Sequence, residues 1–183
     1  MVKVIYFDAY GRAEAIRMLL SKAGVAFEDE RHTFAEWFGG KKVETASEFG
    51  QLPIVEIDGK QYTQTGSILR LLGKQHGYYS EDPYNAWLID SAIEALSDLA
   101  AAYFAFTFSE DAEVKKVGLE KFTTTTLPKA LAPLEIRLKN NSSQHHIVGD
   151  KWTIADFESA AFAYKYVLNK LNPLHDQVLG AFK

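Results

Sequence analysis

The sequence predicts an α/β unit followed by an all-α unit, with boundaries at residues 1–77 and 83–183. Three observations carry this reading. Strand and helix signals alternate through the first third of the chain, in the order βαβ and then ββα. A linker-like stretch, Gly77 to Asp82, follows. Every periodic segment after it has helical spacing.

Taken in order, Lys3-Val4-Ile5-Tyr6-Phe7 is a short, mostly apolar, β-prone run suited to a buried strand. Asp8-Ala9-Tyr10-Gly11 reads as a turn. From Arg12 to Ala23 the apolar residues Ile16, Leu19, Leu20 and Ala23 recur at helical spacing, and Gly24 stops the helix. Val25 to His32 suggests a second strand. Phe34 to Val43 suggests a helix disturbed by Gly39-Gly40. Pro53 opens a strand over Ile54 to Ile57, Asp58-Gly59 marks a hairpin, and Gln61-Tyr62 begins the return strand. Thr65 is placed to cap a helix running through Ile68, Leu69, Leu71 and Leu72. A parallel pair followed by a hairpin gives a mixed sheet with helices on its faces.

Pro83 suits the first turn of the next helix. Ala86 to Phe108 and Ala112 to Asn140 read as long helices, with Pro128 expected to kink or interrupt the second. Lys139 to His146 is a polar turn. Thr153 to Lys170 is a well-marked helix, and Leu174 to Phe182 a short one. No internal repeat is visible, and the run Thr123 to Thr126 is too brief to count as low complexity. Between two such units lies the natural place for a binding cleft.

Composition narrows the function classes. With 47% hydrophobic residues the chain can bury a core, so long disorder is not expected. A net charge of −4 disfavours nucleic-acid binding, which needs a dense basic stripe. There are no cysteines, which excludes disulfides, zinc–thiolate sites and a cysteine nucleophile. Any thiol chemistry must use a thiol brought by a substrate. The run Val2 to Phe7 is too short for a signal peptide, and no segment approaches the apolar length that spans a bilayer. These features predict a cytoplasmic protein handling small molecules without a membrane or nucleic-acid partner.

Four motifs recur in register: Tyr6-Phe7 with Gly11-Arg12-Ala13-Glu14, Phe49-Gly50-Gln51-Leu52-Pro53, Gln64-Thr65 before Ile68-Leu69-Arg70, and Trp152-Thr153-Ile154-Ala155-Asp156-Phe157. Their order, spanning residues 4 to about 157, resembles cytosolic glutathione S-transferases of the tyrosine-type group. The stretch from Tyr6 to Glu14 leans toward the sigma class. The resemblance implies a thioredoxin-like N-terminal domain that binds glutathione. It also implies an all-helical domain that forms the wall of the electrophile site, and a homodimer. It implies glutathione as co-substrate and no metal.

Tyr6 sits where a strand ends and a turn begins, so its phenol can donate a hydrogen bond to a thiolate. A free thiol with pKa around 8.5 is only a few per cent ionised near neutrality. A hydrogen bond to a charged acceptor is worth roughly 1.5–3 kcal/mol, and one pKa unit is about 1.4 kcal/mol, so one tyrosine can supply most of the activation. The alternative for Tyr6 alone is an ordinary core tyrosine. Tyr10 is the competing phenol, displaced from the motif. By resemblance Arg12 supports the active site by charge and hydrogen bonding; otherwise it is a solvated arginine at a helix start.

The resemblance also implies a cis bond before Pro53 that turns the Leu52 backbone, beside Gln51, toward the cysteinyl backbone of glutathione; a trans proline opening a strand is the alternative. Gln64 and Thr65 match the γ-glutamyl site, where a helix N-terminus suits an anion. Trp37 with Lys41 matches the glycyl carboxylate site, with Lys42 left open and a surface Trp–Lys patch as the alternative. Asp98 matches an aspartate that reaches across a dimer, with Glu94 one turn earlier; a solvated acidic face is the alternative. Phe49, Arg70 and Lys74 match dimer contacts. Phe7, Ala101, Phe104 and Phe108 match the electrophile site by resemblance only; as bare aromatics at helical spacing the last two read as core rather than site. Thr153 and Asp156 form a capping box flanked by Trp152 and Phe157, a folding element rather than a site. His145-His146 on a polar turn reads as solvated. The chain stops at Lys183, a helix or more before the usual family end, which puts stability in doubt more than glutathione contact.

Three readings follow. The first is conjugation of the glutathione thiolate to small electrophiles in detoxification. The second is a glutathione-dependent isomerase of the prostaglandin type. The third is a non-catalytic, crystallin-like protein that kept the fold.

Overall fold

In the computed structural model, residues 1–168 are described. The helix expected over Leu174 to Phe182, and the end of the one expected over Thr153 to Lys170, lie outside them. The chain divides into two compact units, Met1–Tyr79 and Ser80–Lys183.

The first unit is built on a four-stranded mixed sheet in the order β2-β1-β3-β4. Strand β1 (Val2–Phe7) pairs parallel with β2 (Phe27–His32), in register Tyr6↔Arg31 and Phe7↔His32. On its other side β1 pairs antiparallel with β3 (Ile54–Ile57), the last rung being Ile5↔Ile54. The Asp58-Gly59 hairpin returns the chain as β4 (Lys60–Thr63). The central strands contribute buried Val4, Ile5, Tyr6, Ile54 and Val55. Strand β2 starts at Phe27 rather than Val25 because Val25 N–H still closes the preceding helix, donating to Leu20 O at 3.0 Å.

Helix α1 (Glu14–Lys22) follows a 3₁₀ turn, Gly11–Ala13, and buries Ala15, Ile16, Leu19 and Leu20. It packs against α4 (Thr65–His76), which buries Ile68, Leu69 and Leu72. The structure corrects the capping role expected of Thr65. Gln64 O accepts the first intrahelical bond, from Ile68 N at 2.9 Å, so Gln64 is the N-cap and Thr65 the first helical residue. Gln64 supplies no side-chain cap.

The disturbed helix after β2 is three short pieces. Helix α2 (Phe34–Glu36) is held by a capping box between Thr33 and Glu36. A π-helical turn, Trp37–Lys41, follows, with Gly40 at φ +154°, and then α3 (Lys42–Thr45). The Gly39-Gly40 pair is thus where the helix loses its regular period.

The second unit is helical. Asp82 caps α5 (Pro83–Thr107) by accepting Asn85 N–H at 2.8 Å, with Pro83 in the first turn. Helix α5 buries Ile89, Ala92, Ile93, Leu96, Leu99 and Tyr103, and packs on α6 (Ala112–Lys121) and α8 (Ile154–Ala163). Between α6 and α7 (Leu127–Asn140) lies a π-helical turn, Phe122–Thr126. This is the interruption expected at Pro128: the proline has no N–H for the carbonyl of Thr124 four residues back and its ring crowds it, so the ladder opens in the turn before it, with Leu127 N–H donating to Phe122 O. The threonines add to it: Thr123 Oγ1 donates to Leu119 O at 3.0 Å and Thr124 Oγ1 to Glu120 O at 2.7 Å, drawing side chains onto carbonyls of the preceding turn. At α8 the expected capping box is present, with Asp156 Oδ2 accepting Thr153 N–H at 2.7 Å, and Trp152 stacks on Phe157 at 5.5 Å.

Candidate active site

Tyr6 is the penultimate residue of β1 and is buried. Its Oη accepts a 2.9 Å hydrogen bond from the Arg12 backbone N–H. The turn that delivers this amide closes directly over the phenol. At Gly11, with φ +44°, an added Cβ would lie 2.4 Å from both Cε1 and Oη of Tyr6. Glycine is required there by conformation and by space. A phenol has one proton and two acceptor positions, so the amide takes an acceptor position and not the proton.

Arg12 itself is exposed, within the 3₁₀ turn rather than at the start of the α-helix proper. Its backbone serves the site on both sides: its N–H goes to Tyr6, and its carbonyl accepts Thr65 Oγ1 at 3.4 Å. The buried cation is Arg17, which the sequence reading missed. Its Nε donates to Asp29 at 2.9 Å, and its Nη1 to Glu14 at 3.1 Å and to Ala9 O at 3.0 Å. Its guanidinium carbon lies 5.9 Å from the centroid of the Tyr6 ring. Nη2 is buried and has no hydrogen-bond partner among the described residues. A sequence signal existed: Arg17 falls on the apolar stripe of α1, beside Ala13, Ile16 and Leu20.

On the other face of β1, Ile5 and Ile54 pack with Trp37, and Phe7 and Leu52 lie against that cluster. Trp37 is therefore a core residue and not part of a surface Trp–Lys patch. The two lysines after it differ. Lys41 Nζ is held by Glu44 at 3.0 Å, which raises its pKa above the ordinary lysine value. Lys42 reaches toward the Gln51 loop: a Cβ built at Gly50 would stand 3.4 Å from its Cε.

The Leu52–Pro53 bond is cis. Leu52 lies beyond the last β1–β3 rung. Gln64 Nε2 donates to Gln51 Oε1 at 3.3 Å, joining two expected ligand-binding residues. Gln64 holds φ +69° and ψ +107°, a conformation that a side chain adopts only at a cost and that clusters at ligand clamps. Sequence carries no sign of that strain. Tyr6, Arg12, Thr65, Gln64 and Gln51 thus meet where β1 ends and α1 and α4 begin.

Among the remaining candidates, Asp98 and Ala101 are exposed on α5, as is Glu94. Phe104 is half-buried and stacks on exposed Phe108 at 5.6 Å; the core position just before them is Tyr103. Phe49 is exposed on its loop, and Lys74 Nζ lies 5.3 Å from the Tyr79 ring centroid. Among the described residues no helix is long and apolar enough to cross a membrane.

Comparison with known proteins bears on this geometry. Residues 2–74 match the N-terminal domain family of glutathione S-transferases, and residues 97–182 match a C-terminal domain family of the same enzymes. A class-mu 28 kDa glutathione S-transferase isozyme of Schistosoma japonicum is 34% identical over 160 residues, covering 85% of this chain and 75% of that protein. The solved structure of a prostaglandin synthase D from Nilaparvata lugens superposes with a TM-score of 0.80 at 28% identity, covering 88% of this chain and 79% of the other. A monomeric glutathione S-transferase of the hookworm Necator americanus gives a TM-score of 0.76 at 30% identity, covering 98% and 88%.

Proposed function

The chain belongs to the glutathione S-transferase family, and from that premise we propose that it conjugates the glutathione thiolate to small electrophiles, with Tyr6 as the residue that holds the thiolate. The observation that carries this reading is the 2.9 Å bond from Arg12 N–H to Tyr6 Oη. An N–H donated to the phenol oxygen draws electron density from the O–H, making it a better donor to sulfur. The positive charge of Arg17 beneath the ring acts in the same direction.

In this reading Gln64 and Thr65 take the γ-glutamyl carboxylate at the N-terminus of α4, where unpaired amides favour an anion. The Leu52 backbone, with Gln51 and Pro53 beside it, takes the cysteinyl backbone. Lys41 or Lys42, with Trp37, takes the glycyl carboxylate. Lys42 is the better placed, because Glu44 engages Lys41 and Lys42 faces the Gln51 loop. Phe7, Ala101, Phe104 and Phe108 line the electrophile side, and Arg12 lends its charge to the sulfur. The sulfur forms a bond to the electrophilic carbon, and the leaving group or opened oxygen departs with the electron pair. Positioning two reactants and favouring the anion supply the rate. No metal enters this chemistry.

The same reading includes a sigma-class member acting in cytoplasmic detoxification as a homodimer. Asp98 then reaches the partner's γ-glutamyl group, and Phe49, Arg70 and Lys74 make dimer contacts. Asp98→Ala is expected to weaken glutathione binding; an active species that stays monomeric at micromolar concentration removes that role.

The test is retention on immobilised glutathione, run beside a conjugation assay with a generic electrophile. Retention with turnover supports the reading, and failure of both overturns it. Retention without turnover points to the crystallin-like alternative. A glutathione-dependent isomerase is the second reading, favoured by the likeness to the prostaglandin synthase D structure. Product analysis with a lipid endoperoxide separates it from conjugation.

A further inference from the structure

The sheet face on which Trp37 packs carries a line of charge that ends at this indole. Side chains alternate along a strand, so Lys3 on β1 shares the face with Glu28, Glu30 and His32 on β2. Lys3 Nζ lies 3.1 Å from Glu28 Oε1 and 3.0 Å from Glu30 Oε2. The other oxygen of Glu30, Oε1, stands 2.8 Å from His32 Nε2. The His32 ring then lies 6.0 Å from the Trp37 ring, centroid to centroid, with planes 34° apart.

His32 is 7% exposed at the end of an edge strand. An apolar side chain would serve the packing around Trp37, as Ile5 and Ile54 do. A histidine brings a ring that changes charge between about pH 5 and 8. No step of the proposed transfer uses it. The charged groups around it are Glu30 on its own strand, Lys3 on β1 beyond Glu30, and Glu36 on α2. Lys41, in the π-helical turn, acts on Glu30 and Glu36. Asp8 N–H donates to the His32 carbonyl at 2.9 Å, while its carboxylate turns to Arg31 at 3.2 Å. Burial works to raise the Glu30 carboxyl, but hydrogen bonds from Lys3 and His32 hold it below the ordinary 4.5. Glu30 is therefore an anion throughout the range in which histidines titrate.

On gaining a proton, the His32 ring becomes a cation held by Glu30 and set beside the Trp37 ring. A cation within about 6 Å of an indole centroid is attracted to the ring. The indole has one hydrogen-bonding group, Nε1–H, which only donates, so it meets a carboxylate through that group. A positive charge at the ring draws electron density from it and strengthens the donor. We infer that His32 is a positioning residue for the glycyl-carboxylate subsite, acting through Trp37, and that its protonation tightens that subsite. The inference rests on the reading of Trp37 as a partner of the glycyl carboxylate. Glutathione is then held more firmly on the acid side of neutrality, and the gain belongs to the glycyl carboxylate alone.

The experiment measures binding of S-methylglutathione, whose capped sulfur has no proton to lose, by calorimetry across the histidine range. Its glycinamide, with a neutral amide in place of the glycyl carboxylate, is the comparison. His32→Gln is the variant, because its amide keeps a donor for Glu30 and cannot become a cation. As pH rises from about 5 to 8, S-methylglutathione should bind roughly 3- to 10-fold more weakly, with little change for the glycinamide. In His32→Gln the profile should be flat at the weaker, alkaline value. A parallel measurement uses no ligand. With Trp87→Phe and Trp152→Phe, Trp37 is the sole indole, and its emission should fall with pH as the imidazolium quenches it, except when His32→Gln is added. Equal pH slopes for the acid and the amide, or a slope that persists in His32→Gln, overturn the inference and leave the glutathione reading intact. The comparison of acid and amide in the unaltered chain needs no substitution, so it decides even if His32→Gln fails to fold. If neither form binds the unaltered chain at millimolar concentration, the glutathione reading fails and the subsite role falls with it.

Discussion

Gly11 and Tyr6 are in contact so close that one methyl group cannot fit between them. A Cβ at position 11 would sit 2.4 Å from Tyr6 Oη, and the backbone there holds φ +44°. The Tyr6 ring is buried and cannot swing away. Gly11→Ala must therefore push the phenol off the Arg12 amide or open the turn. Overpacking of this kind costs roughly 1–3 kcal/mol. Catalysis should suffer more than folding, with a loss of about 10- to 100-fold in kcat/KM if the full thiolate bond is disrupted. Steady-state kinetics beside urea unfolding checks both parts.

Gly118 makes the second indispensable close approach, in the helical unit. A Cβ there would lie 2.4 Å from Phe106 Cβ and 2.5 Å from its Cγ, at the contact between α6 and α5. Alanine gains about 1 kcal/mol of helix propensity over glycine. The clash is with an atom rooted on the backbone of α5, so the helices must separate, at roughly 1–3 kcal/mol. The clash should win. Gly118→Ala is expected to lower the urea midpoint, and a raised midpoint would show that α6 shifts without penalty.

Arg17→Met should be among the more damaging substitutions in the first unit. It strands Glu14, leaves Asp29 with Arg31 as its remaining arginine partner at 2.8 Å, and releases the loop carbonyl of Ala9. Breaking a buried pair costs about 3–5 kcal/mol; because the Asp29 side chain is 27% exposed, the lower part of that range or a little less is expected. Arg17→Lys keeps the charge and loses the fork, and should recover part of the stability in urea unfolding.

Acid should loosen the first unit through two carboxylates. The Thr33 backbone N–H and hydroxyl hold Glu36 below its ordinary value of 4.5. Burial acts to raise Glu30, but hydrogen bonds from Lys3 and His32 outweigh it and leave it below 4.5 as well. A carboxyl whose folded pKa is depressed stabilises the fold above its unfolded pKa and loses that stabilisation as pH falls through the folded value. The urea midpoint should therefore be steady near neutrality and fall below about pH 4.5. Glu30→Gln and Glu36→Gln together should make that fall shallower, and an unaltered acid limb would remove both groups from the account.

Much of the fold of each unit is legible in the sequence because its signals are local. The apolar β-prone run Lys3 to Phe7, the Asp58-Gly59 hairpin and the Thr153–Asp156 box each act within a few residues, and each appears where expected. What sequence conceals is tertiary. Trp37 reads as a ligand-holding residue or as part of a surface Trp–Lys patch until Ile5 and Ile54 are seen to close on it. Arg17 on the apolar stripe of α1 hints at burial, but its partner is not visible until Asp29 comes across from β2. Pro128 announces a break and the π-helical turn does end just before it, but the part played by the threonine hydroxyls on the carbonyls of Leu119 and Glu120 shows only in the structure. The Gln64 strain depends on how β4 is joined to α4, and no residue type announces it.

Tyr6→Phe separates the proposed mechanism from its rivals. The substitution removes one hydroxyl and little volume, so the buried ring should keep its place against Gly11 and Arg17. It also removes the acceptor for the Arg12 amide, at about 1–3 kcal/mol of stability if no water replaces it. The lost bond to a thiolate, roughly 1.5–3 kcal/mol, corresponds to about a 10- to 150-fold drop in kcat/KM at neutral pH. Glutathione affinity should change little, because its carboxylates and backbone are held by other residues. The defect should shrink as pH rises through the free thiol's pKa of about 8.5, since the solvent then supplies the anion. Tyr10→Phe is the control. Tyr10 is half-buried in the turn, and its carbonyl accepts from Arg17 Nη1 at 3.4 Å. Full activity in Tyr6→Phe with a loss in Tyr10→Phe would mean that the other phenol holds the sulfur. If both variants stay active at neutral pH, the thiolate is held by the Thr65 hydroxyl or the Arg12 side chain, and the same pH series on Thr65→Val and Arg12→Met decides between them.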